Sequence, residues 1–185
     1  MKSKFTLILI IVCQIAVAQQ KTVELKLRTF KSKNKNVDSV LAANAIRIAS
    51  LVLNSQEFRD SLNKYDFKCE NYGETCSSSR IKGSVVLDST YRVQIFELDL
   101  IMKTCINEYG HSEEDKHYIQ SCYGKLRKDD KKLPFSYIYA YHICHEYMHI
   151  VGYYHTDHKD DVAEKVGWIA YYILDRWFDE KRNLN

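Results

Sequence analysis

The chain has 185 residues, enough for one compact domain with a core of its own and few for two. With 45% apolar and 28% charged residues and a single proline, its composition excludes a mainly disordered state. Lys2 and Lys4 belong to a candidate signal segment, and without them the formal net charge falls from +3 to about +1, which excludes an electrostatic case for nucleic acid.

Residues 1–18 read as a secretory signal peptide. Lys2 and Lys4 precede an apolar run from Phe5 to Ala18, and Ala16-Val17-Ala18 places small residues at the cleavage site. The run is short for a bilayer span, so no stable membrane insertion is expected after cleavage. The remaining chain, 19–185, is expected to form a single domain that is secreted or periplasmic.

Residues 22–29, TVELKLRT, alternate, with Val23, Leu25 and Leu27 on one side, and predict a half-buried strand. From Val37 to Leu53 the period becomes helical, with Leu41, Ala45, Ile48 and Val52 on one face. Asn54-Ser55 interrupts it, and Ser55 is placed to cap a short helix carrying Phe58 and Leu62. Residues 67–80 are polar and read as loop. Residues 81–102 read as two strands, IKGSVVLD and YRVQIFELDLIM, joined at Ser89-Thr90. In the second strand the apolar parity switches after Ile95, which predicts a bulge or a strand buried on both faces. Residues 106–133 read as irregular with short helical pieces. Pro134 and Ser136 open a helix running to about Val151, with Ala140, Cys144, Met148 and Val151 as its apolar stripe. A last helix begins near Asp160 or Asp161, with Glu164 as capping-box partner and Val162, Val166, Ile169, Ile173 and Trp177 on the buried face. The expected fold class is α+β, a small mixed sheet packed against helices.

Export permits disulfides. Cys69 and Cys76 bracket one short polar loop, and Cys105 and Cys122 bracket a charged, glycine-containing one, so each pair is a candidate bridge whose connectivity the sequence leaves open. Cys144 is expected to remain a free, core-facing thiol.

The chemistry concentrates in residues 143–155, ICHEYMHIVGYYH. Four residues apart on a helix, His145 and His149 share a face and can direct two imidazoles at one ion. Glu146 is rotated about 100° from His145, beside that ion's open position, where a carboxylate can act as a general base. A catalytic zinc uses three protein ligands. Gly152 can end the helix in a left-handed conformation and let the chain return with His155 as the third. His158 and Glu164 are rival third ligands. His142 reads as a cleft-lining or surface residue, and His111 and His117 as solvated.

HEYMHIVGYYH resembles, residue for residue, the H-E-x-x-H-x-x-G-x-x-H pattern of the metzincin class of zinc metallopeptidases. The resemblance covers 11 residues and implies a zincin-like fold. It also implies zinc held by His145, His149 and His155, Glu146 as general base, Gly152 at the turn, and a peptide or protein substrate cut by an endopeptidase. In that class a turn with a methionine beneath the metal follows the third histidine. Here the methionines are Met1, Met102 and Met148, so either an apolar residue from 160–170 takes its place or the chain is a divergent relative. Tyr153, Tyr154, Tyr171 and Tyr172 are candidates for stabilising an oxyanion. The alternatives are an exported, zinc-stabilised binding protein without peptidase activity and a metal-free interaction domain.

Overall fold

The computed structural model describes residues 20–68, 80–114, 116–155 and 161–184. The signal segment, the Cys69–Cys76 pair and His158 lie outside the described residues. Strand β1 (Glu24–Ser32) is followed by helices α1 (Ser39–Asn54) and α2 (Gln56–Leu62). A small hairpin follows, β2 (Asp66–Lys68) with β3 (Arg80–Lys82), leading into α3 (Gly83–Thr90). Then come β4 (Ile95–Lys103), β5 (Gly110–His111), β6 (Tyr118–Cys122), α4 (Tyr123–Asp129), α5 (Phe135–Ile150) and α6 (Val162–Asp179). The fold is therefore α+β, with a small mixed sheet and six helices among the described residues. No described helix is long and apolar enough to cross a membrane.

The main sheet has the order β1-β4-β6-β5. β1, β4 and β6 are parallel, and β5 adds an antiparallel edge strand. Alternation in β4 buries Leu98, Leu100 and Met102 completely under the helices, while Ile95 and Glu97 are exposed. α1 lies along β1, and its small Ala42, Ala45 and Ala49 are fully buried. Where they allow close approach, the thiol of Cys144 on α5 lies 3.8 Å from the Ala49 carbonyl. Cys144 is free and buried, as its position in the helical stripe predicts.

Side chains satisfy backbone groups at the element ends. Asn54 exchanges two hydrogen bonds with the Val23 backbone, at 3.0 and 2.7 Å, and so fastens the end of α1 to the start of β1. Ser55 caps α2 by accepting from the Phe58 amide at 3.1 Å, as expected. Asp161 caps α6 by accepting from the Glu164 amide at 2.7 Å. The predicted buried face of α6 is buried throughout.

Several expectations are corrected. IKGSVVLD is not a strand: only Ile81 and Lys82 pair, and the rest forms α3. Gly83 explains the switch, since a Cβ there would lie 1.8 Å from the Leu62 carbonyl oxygen, so only glycine lets α3 start against the end of α2. β4 keeps one buried parity, and the register shift lies in β1, between Leu27 and Thr29. There Arg28 reaches Asp99 on β4 with Nε at 3.0 Å and Nη2 at 2.6 Å. Residues 106–133, read as irregular with short helical pieces, hold such a piece in α4 but also the strands β5 and β6. β6 is polar in sequence yet buried at Ile119, Ser121 and Cys122, because β4 and β5 flank it. The Cys105–Cys122 disulfide forms and closes the loop that carries β5.

Candidate metal centre

α5 packs between α1 and α6 and presents its polar face to a cleft. Pro134 stands at its N-cap position with φ −53°, a value that feeds directly into a helix. On the opposite face Tyr147 is fully buried, donates to the Thr90 carbonyl at 3.1 Å and meets Phe96 edge-on. With that face fixed, the helical repeat directs His142, His145, Glu146 and His149 toward the other side.

The helix ends at Gly152, which has φ 98°, a conformation that favours glycine. The Gly152 amide bonds the His149 carbonyl at 3.0 Å and the Tyr153 amide bonds the Met148 carbonyl at 2.9 Å, the paired bonds of a Schellman turn. Tyr153 then packs inward, 1% exposed, and its hydroxyl donates to Ser89 on α3 at 2.9 Å. The chain so reversed brings His155 back to the α5 histidines.

His145, His149 and His155 form a group in which the ligand atoms all lie within 4.8 Å of one another. A tetrahedral ion with bonds of about 2.0–2.1 Å needs nitrogens about 3.4 Å apart, a contraction within reach of side-chain rotation. The three rings are also anchored as metal ligands require. His149 Nδ1 lies 2.6 Å from the Tyr153 carbonyl oxygen, so it carries the proton and leaves Nε2 as a lone-pair donor. His155 Nδ1 lies 3.0 Å from Asp161 Oδ2, a carboxylate–imidazole pair with the same consequence. His145 makes a backbone hydrogen bond with Ala163, and its Nδ1 edge lies 3.9 Å from Glu164 Oε2. Burial, followed by repulsion from neighbouring imidazoles, pushes His145 well below the usual histidine range. Burial likewise pushes His149 down to about 4. The hydrogen bond that His155 donates to Asp161 raises His155. Two of the three rings are thus neutral at pH 7 and ready to ligate. This histidine group can hold a metal ion.

α6 closes the back of the site. A Cβ at Gly167 would stand 3.2 Å from both Cβ and Nδ1 of His145. The helix therefore rests directly on the first histidine.

Glu146 is 3% exposed and outside the ligand group. Ser112, from the loop after β5, lies 2.7 Å from its Oε2 and 2.9 Å from its backbone oxygen, and so fixes the carboxylate from across the cleft. Burial raises the Glu146 pKa to about 7, against the opposing hydrogen bond from Ser112. Oε1 faces His142 Nε2 at 3.7 Å. His142 is 2% exposed, lines the cleft, and is held down to about 3 by burial and by His149.

The cleft has a volume of about 340 Å³ and contains His145, Glu146 and His155. Glu164 lines it too but accepts from Trp168 Nε1 at 3.0 Å and stays out of the histidine group. Of the tyrosines singled out in sequence, Tyr171 alone lines it. Tyr153 is buried, Tyr154 donates to Glu114 at 2.7 Å, and Tyr172 is exposed beside Trp168. Tyr109 and Tyr141 line it without having been singled out. His111 and His117 are exposed, His117 stacking on Phe96. Cys105, Glu108 and Cys122 also cluster, but both sulfurs are consumed by the disulfide.

Sequence reasoning missed Ser112 and the second role of Asp161. A serine 34 residues before its partner carries no local signal, and Asp161 was visible only as a helix cap.

No protein-family model, curated protein or solved structure matches the chain.

Proposed function

We propose that this chain is an exported, zinc-dependent endopeptidase of zincin-like architecture, related to the metzincins. The observation that carries the reading is the convergence of three imidazoles beside a buried carboxylate that is not one of the ligands, with His145, His155 and that carboxylate lining one open cleft. A purely structural metal site has no use for such a carboxylate.

His145, His149 and His155 would hold the ion through the nitrogens their anchors leave free. Zinc bound there supplies Lewis acidity toward water and the scissile carbonyl. Glu146 does the proton work. With Oε2 occupied by Ser112, Oε1 is the oxygen placed to take a proton from the attacking water and return it to the leaving amine nitrogen. The raised affinity of this carboxylate for a proton suits both transfers near neutral pH. β5 is a sheet edge and its Gly110 lines the cleft, so an extended peptide can dock by adding a strand. Gly110 is required there, because a Cβ would come within 2.5 Å of His142 Nε2.

The test is reversible metal removal. Chelation should abolish hydrolysis of a broad peptide library, and one equivalent of zinc should restore it. His155→Ala should lose zinc affinity, whereas His158→Ala and Glu164→Ala should keep it. Hydrolysis that survives complete demetallation defeats the proposal.

A further inference from the structure

A second buried carboxylate lies in the cleft, and the peptidase chemistry does not use it. Asp130, in the link between α4 and α5, is 8% exposed and lines the cleft wall. Its Oδ1 accepts from the Lys132 amide at 2.8 Å and the Leu133 amide at 3.2 Å, bonds that shape the turn into α5. Its buried Oδ2 takes no well-formed hydrogen bond, although the Tyr171 hydroxyl interacts with this carboxylate. The neighbouring cations are engaged elsewhere. Lys132 Nζ bonds Asp175 and Asp179 at 2.5 and 3.2 Å, and Arg127 Nη1 donates to the Leu133 carbonyl at 2.9 Å. No lysine or arginine lines the cleft among the described residues.

The walls around this carboxylate are aromatic. Tyr141 of α5 and Tyr171 of α6 meet edge-on at 5.4 Å, and Trp168 lies 5.8 Å from Tyr171. Tyr141 precedes His145 by one helical turn and Tyr171 follows Gly167 by one turn. The aromatic pair therefore stands about 5–6 Å along the two helices from the histidine group, roughly one side chain's reach. A buried anion whose second oxygen lacks a well-formed hydrogen bond is costly, and a cation arriving with hydrogen-bond donors removes that cost. Aromatic faces add attraction for the cation and cover its aliphatic stem.

We infer that this pocket is a specificity site for a basic side chain, with Asp130 Oδ2 accepting from the ammonium or guanidinium of a lysine or arginine in the substrate peptide. Tyr141, Trp168 and Tyr171 enclose the stem. The identity of the substrate as a peptide rests on the peptidase reading, whereas the preference for a cation rests on the pocket alone.

Two measurements test the site and separate it from that reading. The first is calorimetric titration of the zinc-loaded full chain with benzamidine and with benzamide, its neutral counterpart. Benzamidine should bind at least about tenfold more tightly, as a charged hydrogen bond requires. Asp130→Asn should remove most of that difference. Asparagine keeps an oxygen for the Lys132 and Leu133 amides, so this variant should melt with the wild type. The second is cleavage of a mixed peptide library, in which lysine and arginine should be enriched at one fixed position from the cut, and in Asp130→Asn should not. Equal binding of benzamidine and benzamide, or a preference untouched by Asp130→Asn, overturns the inference. So does cleavage that is indifferent to basic residues. If benzamidine binds through Asp130 while no peptide is cut, the cation site stands and the peptidase reading falls.

Discussion

Substitution of Asp161 separates the folding role of the site from its metal role, because the carboxylate divides its oxygens between them. Oδ1 accepts from the Glu164 amide at 2.7 Å and caps α6, while Oδ2 lies 3.0 Å from His155 Nδ1. The Asp161 side chain is only 5% exposed, whereas the His155 ring is 56% exposed, so water screens the bond to His155 more than the cap. Asp161→Ala removes both. Loss of an N-cap costs about 1 kcal/mol, which is about 2–4 °C in Tm for a domain of this size. Loss of the carboxylate behind a metal-ligating histidine costs about 10–100-fold in metal affinity. Asp161→Asn removes only one. Asparagine caps helices as well as aspartate, but its amide nitrogen would face the His155 Nδ1 proton, two donors opposed, and the ring would lose the tautomer that frees Nε2. Thermal melts of the metal-free proteins should therefore place Asp161→Asn with the wild type and Asp161→Ala below it. Competition with a zinc chelator should show both variants weakened by about 10–100-fold. Unchanged zinc affinity in Asp161→Asn would refute the pairing, and equal apo destabilisation of the two variants would refute the division of labour.

Gly167→Ala should raise intrinsic helix stability, by up to about 1 kcal/mol, and yet weaken zinc binding, because the new methyl group presses on His145 at 3.2 Å; chelator competition beside an apo melt checks the opposite signs. Asp99 is pulled by its Arg28 hydrogen bond from an ordinary 3.8 to about 2, so its contribution is complete above pH 4 and fades as the pH falls toward 2. Asp99→Asn should cost about 1 kcal/mol at pH 7, a value reduced for the exposed Arg28, and the gap in Tm from wild type should close near pH 2. Reduction of the Cys105–Cys122 bridge, which spans 17 positions, should destabilise the fold by about 2–4 kcal/mol, read as a lower midpoint in urea.

What could be read in the sequence is what depends on near neighbours in the chain. The i, i+4 pair His145 and His149, the glycine that ends α5, the Ser55 cap and the buried face of α6 all follow from local geometry, and the structure reproduces them. Val85 and Val86 gave IKGSVVLD the composition of a strand, but the contact of Gly83 with Leu62 places the segment as a helix, and that contact is invisible from within the segment. β6 escaped notice because YIQSC is short and polar, and its burial comes from β4 and β5 on either side. The same limit applies at the site. Ser112, Asp130 and the Asp161–His155 pair act through contacts between separate elements, so their sequence surroundings carry no sign of them.

The most direct measurement is zinc content and peptide hydrolysis, taken side by side on the wild type and Glu146→Gln. One zinc per chain is expected in both proteins and hydrolysis in the wild type, with the variant slower by about 10²–10⁴-fold. A wild type that carries its zinc and cuts no peptide would contradict the catalytic claim in favour of a zinc-stabilised binding protein. A variant that loses its zinc would make Glu146 part of the metal's support rather than the base.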